Sequence, residues 1–505
     1  MRYRDLIPVF LIALTAAPPS FAQVAESMTV EVVEVPVYVT SADGTPLRGL
    51  HREQFELRVN GKTRAIDYFD SVDLGAAAGS PEPAARSSAP LRARRLYLLI
   101  FDLLFGSNKR VVRAQQAAAA MIERPENAED LFAVAAYSPV SGLRLVTPFL
   151  HDRAVLRHAI HELHAADEKD PLGMAMPGSA RNMWTQSSGA DLLASVGVTG
   201  EMAGFAGGSA GIDNVLEARR RLVTNQLADF EGLAKRLRGI EGQKYVVLFS
   251  SGWDWRISII PGNGYNEYPD LHARIADMAR AFKDAGVFLY GLDTAGVRTE
   301  KRAMIDSQEG MRRVIRPTGG DLLANTNDFA HSLRELSASH DFVYILGFHR
   351  REARGGDIDV RVANLPRGAH VTFRPGFGRA GEKHEFDALQ IADILLNDIP
   401  QNGVTIKSDI RDGVAGTDVV VTFSRSELAS VLPAGAAADL LIYVFDEHGT
   451  VAAYQTKRLA REDVTIATQF SLPPGRYVAK ILLHVVGTDI AGFERRAFAV
   501  SGDRR

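Results

Sequence analysis

Two stretches, Leu96-Tyr-Leu-Leu-Ile-Phe-Asp102 and Tyr245-Val-Val-Leu-Phe-Ser-Ser-Gly252, run almost continuously apolar and then stop at acidic or small residues. A strand with one wet face alternates polar with apolar; a strand covered on both faces does not, so each run reads as a buried strand of a parallel sheet. In open α/β sheets ligands sit beyond the carboxyl ends of such strands. The residues that end these two runs are therefore expected to line a site.

The surrounding pattern supports that reading. Strands are expected at Leu96 to Phe101, Leu131 to Tyr137, Leu143 to Phe149, Tyr245 to Phe249, Val287 to Leu292 and Phe342 to Phe348. Helices are expected at Lys109 to Arg124, Ala154 to Leu163, Val215 to Leu237, Ala273 to Ala285 and around Phe329 to Ser339. Alternation of this kind implies a mostly parallel, doubly wound (Rossmann-like) sheet with helices on both faces. Between His164 and Asp213 lies a stretch rich in Gly, Met, Ala and Ser, which reads as an inserted loop or lid.

With 505 residues, 46% hydrophobic and 24% charged, the chain has room for three or four domains with proper cores. A net charge of −3, with Lys and Arg scattered, excludes a basic field for nucleic acid. The absence of cysteine removes disulfides, thiolate metal sites and Cys nucleophiles at once. At the N-terminus, Met1-Arg2-Tyr3-Arg4 precedes an apolar run from Leu6 to Ala17 and the small residues before Gln23. This is the pattern of a secretory signal peptide over residues 1–22, cleaved after Ala22, and it predicts an exported protein, periplasmic or extracellular, with no membrane span after signal removal.

After the signal, Val30 to Thr40 alternates, Phe55 to Val59 runs into an Asn60-Gly61 hairpin signal, and Ala65 to Phe69 gives a third strand. This outlines a small β module over residues 28–72, followed by a flexible Ala/Ser/Pro/Gly linker over 73–93. Beyond Phe377 the chain reads as all-β: about seven short runs between Val404 and Val500, separated by turns such as Arg411-Asp-Gly413 and Leu472-Pro-Pro-Gly475. Such spacing suggests an immunoglobulin-like β-sandwich over residues 385–505.

Several pieces, taken in order, carry a resemblance. They are Val35-Pro-Val-Tyr-Val-Thr, Gly44-Thr-Pro-Leu, the strand ending in Asp102, Asp130-Leu-Phe-Ala-Val-Ala, Gly242-Gln-Lys-Tyr-Val-Val-Leu-Phe-Ser-Ser-Gly, Ala285-Gly-Val-Phe-Leu-Tyr-Gly-Leu-Asp, Thr318-Gly-Gly and Phe373-Arg-Pro-Gly-Phe377. Together they resemble the von Willebrand factor A-related proteins of the acidobacterial type, over about Val30 to Phe377. The resemblance implies an A-domain over residues 94–350 with an insertion at about 165–213, a closing β segment over 351–377, and a binding module rather than an enzyme.

A-domains of the well-known kind hold a divalent cation with hard oxygen ligands from an Asp-x-Ser-x-Ser loop, a distant Thr and a distant Asp. Here Asp102 takes the first position. Leu104 and Gly106 stand where the two serines are expected, with Ser107 one place on, and the second acidic position is Ser251, with Asp254 displaced by three residues. The set Asp102, Ser107 and Asp254 is thus a degenerate candidate for Mg2+ or another divalent cation. The competing reading is Asp102 capping the next segment or bonding to loop amides. Trp253 and Trp255, directly beyond a buried strand, read with Phe105 and Ser251 as a face for a protein partner.

Other candidates carry less chemistry. His158, His161, Glu162 and His164 lack the spacing that puts two imidazoles one turn apart, and read as a solvated helix face opposite Leu156, Ile160 and Leu163. Neither a Gly-x-Ser-x-Gly elbow nor a phosphate loop is present. The sequence thus points to an exported adhesion or assembly module with cation dependence weak or lost. An exported hydrolase using a cleft under the Gly/Met-rich insertion is the alternative.

Overall fold

The computed structural model describes residues 32–77, 91, 94–103, 108–138, 141–163, 209–253, 255–258, 268–297, 301–351, 354–379, 386–412, 417–423, 429–432, 436–459 and 465–501. The expected signal peptide, most of the linker and most of the insertion lie outside these residues.

The N-terminal strands are β1 (Val32–Thr40), β2 (Phe55–Val59), β3 (Lys62–Arg64) and β4 (Tyr68–Asp73). The β2–β3 hairpin closes at Asn60-Gly61, where both residues take positive φ, 51° and 76°, as a two-residue turn matched to strand twist requires. The chain then enters β5 (Arg95–Asp102), β6 (Leu131–Ser138), β7 (Gly142–Leu150), β8 (Gln243–Ser250), β9 (Val287–Asp293) and β10 (Leu322–Leu323). Their helices are α1 (Asn108–Ile122), α2 (Arg153–His161), α3 (Ser209–Leu237), α4 (Pro269–Ala285), α5 (Lys301–Ile315) and α6 (Phe329–Ser339).

β5 to β10 form one sheet in the order β10-β9-β8-β5-β6-β7, parallel except for the antiparallel edge strand β7. Successive residues of β5 divide between two cores. Leu96, Leu98 and Ile100 pack with α3, α4 and α5, whereas Tyr97, Leu99 and Phe101 pack with α1, α2 and α6. The continuous apolar runs are thus a consequence of two-sided burial. The chain leaves β5 toward β6 and later returns to its other side at β8, so the order reverses between these two neighbours. That reversal is the crevice where open α/β sheets bind ligands.

Two expectations are corrected by the strand pairing. Phe342 to Phe348 was expected to close the central sheet, but the strand it forms, β11 (Phe342–His349), pairs antiparallel with β1 and β4. With β12 (Gly356–Val362), β13 (His370–Phe373) and β14 (Gly376–Phe377), it completes two four-stranded sheets, β13-β1-β11-β4 and β14-β12-β2-β3, over a shared core. The small N-terminal module and the closing segment are therefore one β unit, joined by pairs more than 300 residues apart such as Val35 with Leu346. Val343 to Phe348 are all buried, alternately against the central sheet and the β unit's own core, so the strand looks like a central one and only the pairing distinguishes them.

The chain beyond Phe377 is not all-β. Helix α7 (Ala388–Asn397) starts at Asp387, whose side chain accepts from the Gln390 N–H. Its Leu389 and Ala392 join the central core, while Ile394 and Leu395 pack with Leu441 and Leu482. Arg94 grips Asp393 with two hydrogen bonds, of 3.2 and 2.7 Å. The helix was missed because its apolar positions serve two partners, which blurs a one-sided stripe. Seven strands follow: β15 (Ile406–Asp412), β16 (Thr417–Phe423), β17 (Ala438–Asp446), β18 (Val451–Leu459), β19 (Thr465–Phe470), β20 (Gly475–Val485) and β21 (Ala491–Val500). They form antiparallel sheets β15-β16-β19 and β18-β17-β20-β21 around one core. Tyr477, near the start of β20, donates its hydroxyl back to Pro473 O at 2.7 Å.

A ring cluster joins the N-terminal β unit to the central sheet. The Tyr38 and Tyr245 hydroxyls lie 2.6 Å apart, and the Tyr245 ring stacks on His340 at 4.1 Å. Both His340 nitrogens meet phenols, Tyr97 at 3.4 Å and Tyr290 at 2.9 Å. Burial, reinforced by Arg95, holds the imidazole well below its ordinary pKa and therefore neutral. Among the described residues no helix is long and apolar enough to cross a membrane.

Lys244, on β8, is buried with its ammonium donating to Ile240 O at 2.6 Å. Burial, followed by repulsion from Arg374, lowers its pKa from 10.5 to about 7. Between those values the unfolded chain holds the proton that the folded one has released, so stability rises with pH above 7, by at most about 1.4 kcal/mol per unit. Urea unfolding at pH 6.5 and 9 is expected to show this rise in the parent protein and a smaller one in Lys244→Met. An equal rise in both would mean that Lys244 keeps its charge when folded.

Candidate functional site

The crevice at the chain reversal is built from the last residues of β5, β8 and β9. Asp102 ends β5 and is 4% exposed, placed there by seven preceding residues that are all buried. Ser250 ends the neighbouring β8, and its hydroxyl donates to Asp102 Oδ2 at 2.6 Å. The same hydroxyl oxygen accepts the Gly252 N–H at 3.0 Å, and Ser250 O accepts the Thr294 N–H at 2.9 Å. A short bond from a hydroxyl to a carboxylate is charge-assisted and strong in a buried setting. Asp102 therefore has a built-in neutral donor from the adjacent strand.

Asp293 ends β9 and is 1% exposed. It accepts the Ala295 N–H at 3.0 Å and the Gln308 amide at 3.0 Å, and the same Gln308 nitrogen lies 3.0 Å from Asn325 Oδ1. Gln308 Oε1 in turn accepts from Arg312 at 3.2 Å. Sequence reasoning takes Ser250 only together with Ser251, as a strand-end hydroxyl before Gly252 with no assignable base, and singles out neither Asp293 nor Gln308. The signal for Asp293 was present: Val287 to Leu292 is an apolar run ending at an acidic residue, as in β5. Gln308 was hidden because α5 itself was not expected. Ser307, Gln308 and Gly310 occupy buried positions and shorten its apolar face to Met311, Val314 and Ile315.

The expected site residues fall into three groups. Asp102 and Ser251 are at the crevice, and Ser251 is 5% exposed. Phe105, Ser107 and Asp254 lie outside the described residues. Trp255 begins a short 3-10 turn, Trp255–Ser258. Trp253 was expected at the surface for a partner, but it is 5% exposed and belongs to the central core. Its ring and carbonyl lie against Gly310 of α5, where an added Cβ would come within 2.7 Å of Trp253 O. The indole is thus clamped under α5 because its apolar area is large and a glycine leaves room for it. The helix carrying His158 and His161 exposes both, with Leu156, Ile160 and Leu163 buried.

The described oxygen donors do not by themselves fit a divalent cation. Asp102 Oδ2 and Asp293 Oδ2 are each engaged by a protein donor, and among the described residues no group of three or more His, Asp or Glu side chains is placed to hold a metal ion. Ser250, at the end of a strand, faces a carboxylate rather than an imidazole. Beside these buried groups the turn after β9 presents Val297, 59% exposed, whose N–H donates to Asn327 Oδ1 at 3.3 Å. The half-buried Arg113 of α1 donates to the same Asn327, at 3.1 Å to its carbonyl.

The sequence matches no family model and no curated protein. Among solved structures, the chain is similar to BatB of Bacteroides thetaiotaomicron, a conserved hypothetical protein, at 11% identity and a TM-score of 0.25, over 48% of this chain and 98% of that one. It is similar to the manganese-loaded TRAP protein of Plasmodium vivax at 8% identity and a TM-score of 0.23, over 61% and 96%. It is also similar to three N-terminal domains of the type V pili tip protein Mfa5 of Porphyromonas gingivalis at 9% identity and a TM-score of 0.24, over 94% and 96%. At such scores and identities these likenesses carry no argument about fold or function.

If Ser250 secures Asp102, Ser250→Ala leaves a buried carboxylate short of a donor and costs about 1–3 kcal/mol. In Asp102→Ala the same serine change is expected to cost far less, because the acceptor has gone. Urea unfolding of the four proteins measures both, and equal costs in the two backgrounds would show that the pair is not coupled.

Proposed function

We propose that this chain is an exported protein-binding module of the von Willebrand factor A type, engaging a protein partner through the carboxyl end of its central sheet in adhesion or assembly. The observation that carries this reading is the makeup of that crest: an exposed apolar Val297 beside carboxylates that are already held by Ser250 and Gln308. An exposed aliphatic side chain at the ligand end of an open α/β sheet suits a protein surface better than a small polar substrate. Carboxylates satisfied from within favour weak or absent cation dependence. The order of strands and the motif set read from the sequence support the acidobacterial type, and the residues 1–22 pattern supports export to the periplasm or beyond.

The C-terminal unit fits the same reading as an immunoglobulin-like sandwich. Three plus four antiparallel strands around one core, with the Tyr477 hydroxyl bonded back to Pro473 O, support that assignment. Such a unit spaces or presents the binding face. Its firm join through α7 carries orientation from one unit to the next.

A photo-crosslinking residue at Val297, in cells exporting the protein, is expected to trap a discrete protein partner, whereas one at the exposed Glu126, before β6, is expected to trap none. Val297→Asp should weaken capture of that partner by roughly tenfold, about 1.4 kcal/mol. Equal products at both positions would place binding elsewhere. Labelling of Ser250 or Ser251 by a fluorophosphonate would instead favour the exported hydrolase.

A further inference from the structure

We propose that the furrow between α4 and α5 is a second binding site, which takes an acidic segment of a protein partner with an apolar side chain seated between its carboxylates. The furrow encloses about 620 Å³. Its floor is apolar, with Ile275, Ala276 and Ala279 of α4. Five cationic side chains line it, Arg280 and Lys283 from α4, Arg312 and Arg313 from the end of α5 and Arg316 just beyond it, against the single carboxylate of Glu309. The chain as a whole carries a net charge of −3, so this concentration of positive charge is local.

Helix dipoles account for part of the arrangement. Lys283 and the pair Arg312 and Arg313 stand in the last turns of α4 and α5, where cations are favoured. The dipoles do not require both helices to turn these groups toward one concavity. Nor do they explain Arg280, more than one turn from the end of α4, or Arg316, beyond the end of α5. Internal pairing absorbs some of the charge: Arg313 meets Glu309 at 2.8 Å, Lys283 meets Asp357 at 2.9 Å and Arg280 meets Asp277 at 3.1 Å. Arg316 is exposed and has no ionic partner among the described residues.

Two neighbouring concavities, of about 260 and 440 Å³, share Arg280 with the furrow but are lined by acids as well, including Asp284 in both. The cationic excess is therefore greatest in the α4–α5 furrow, five cations against one carboxylate, where its neighbours are nearly balanced. Guanidinium groups match carboxylates in a planar, forked geometry, and an apolar floor rewards a side chain that a bare polyanion lacks. Together they select an acidic peptide that carries an aliphatic residue. This site is separate from the carboxyl-end face. Only Arg312 reaches that face, through Gln308 and Asp293, so the test leaves Arg312 in place.

The test uses fluorescence anisotropy of the purified protein with a labelled peptide of about ten residues, Glu and Asp around a central Leu. Saturable binding is expected, weakened about tenfold or more by Arg280→Glu with Arg316→Glu, and weakened again by raising salt from about 50 to 300 mM. Replacing the peptide Leu by Gly should weaken binding several-fold. Arg280→Ala with Arg316→Ala serves as a milder variant if the charge reversals perturb folding, which circular dichroism reports. Absence of saturable binding, or binding unchanged in both variants, would overturn the proposal. Equal affinity for the Leu-less peptide or for tripolyphosphate would reduce the furrow to a general anion patch and overturn the acidic-peptide assignment. Capture at Val297 is expected to survive Arg280→Ala with Arg316→Ala, so the furrow and the carboxyl-end face can fail independently.

Discussion

Both faces of β5 and β8 must be buried, and this requirement places every other layer of the molecule. A parallel sheet has no wet side, so helices α3, α4 and α5 cover one face and α1, α2 and α6 the other. The amino ends of the strands still expose aromatic surface on the second face. Tyr38 from β1 and His340 from the approach to β11 fill it, with the Tyr38 and Tyr245 hydroxyls 2.6 Å apart and His340 stacked on Tyr245. The N-terminal β unit, assembled from both ends of a long stretch of chain, is thereby seated on the central sheet.

The carboxyl ends of the same strands remain, and there the side chains that stop the apolar runs come together. Asp102 and Ser250 come from neighbouring strands at the point of chain reversal, and Asp293 from the next strand over. Each carboxylate is met by a neutral protein donor, Asp102 by Ser250 and Asp293 by Gln308, which holds both in place. A buried carboxylate is costly unless its bonds are short and well placed, as the 2.6 Å contact with Ser250 is. The consequence is a rigid floor beneath a rim of the exposed Val297 and the half-buried Arg113.

Much of this was legible in residue order, for identifiable reasons. Leu96 to Phe101 and Tyr245 to Phe249 declared two-sided burial, Asn60-Gly61 declared its hairpin, and Asp102 was placed at a strand end by the same run that buries it. Other parts depend on partners that periodicity does not name. Phe342 to Phe348 is continuously apolar, as a strand covered on both faces is in either sheet, and only pairing with β1 decides. Helix α5 hides because Gly310 and Gln308, which serve Trp253 and Asp293, interrupt the apolar face that Met311, Val314 and Ile315 bury, and α7 hides because it faces two cores. Trp253 looked like a surface residue for the same reason: the helix that covers it was not visible.

The account rests on Asp102 and Asp293 being satisfied from within the protein. Calorimetric titration of the purified protein with magnesium, manganese and calcium, with Asp102→Ala as control, tests this directly. No saturable heat that depends on Asp102 is expected, up to millimolar ion. Saturable binding that disappears in Asp102→Ala would contradict it and make a cation the organising group of the carboxyl-end face.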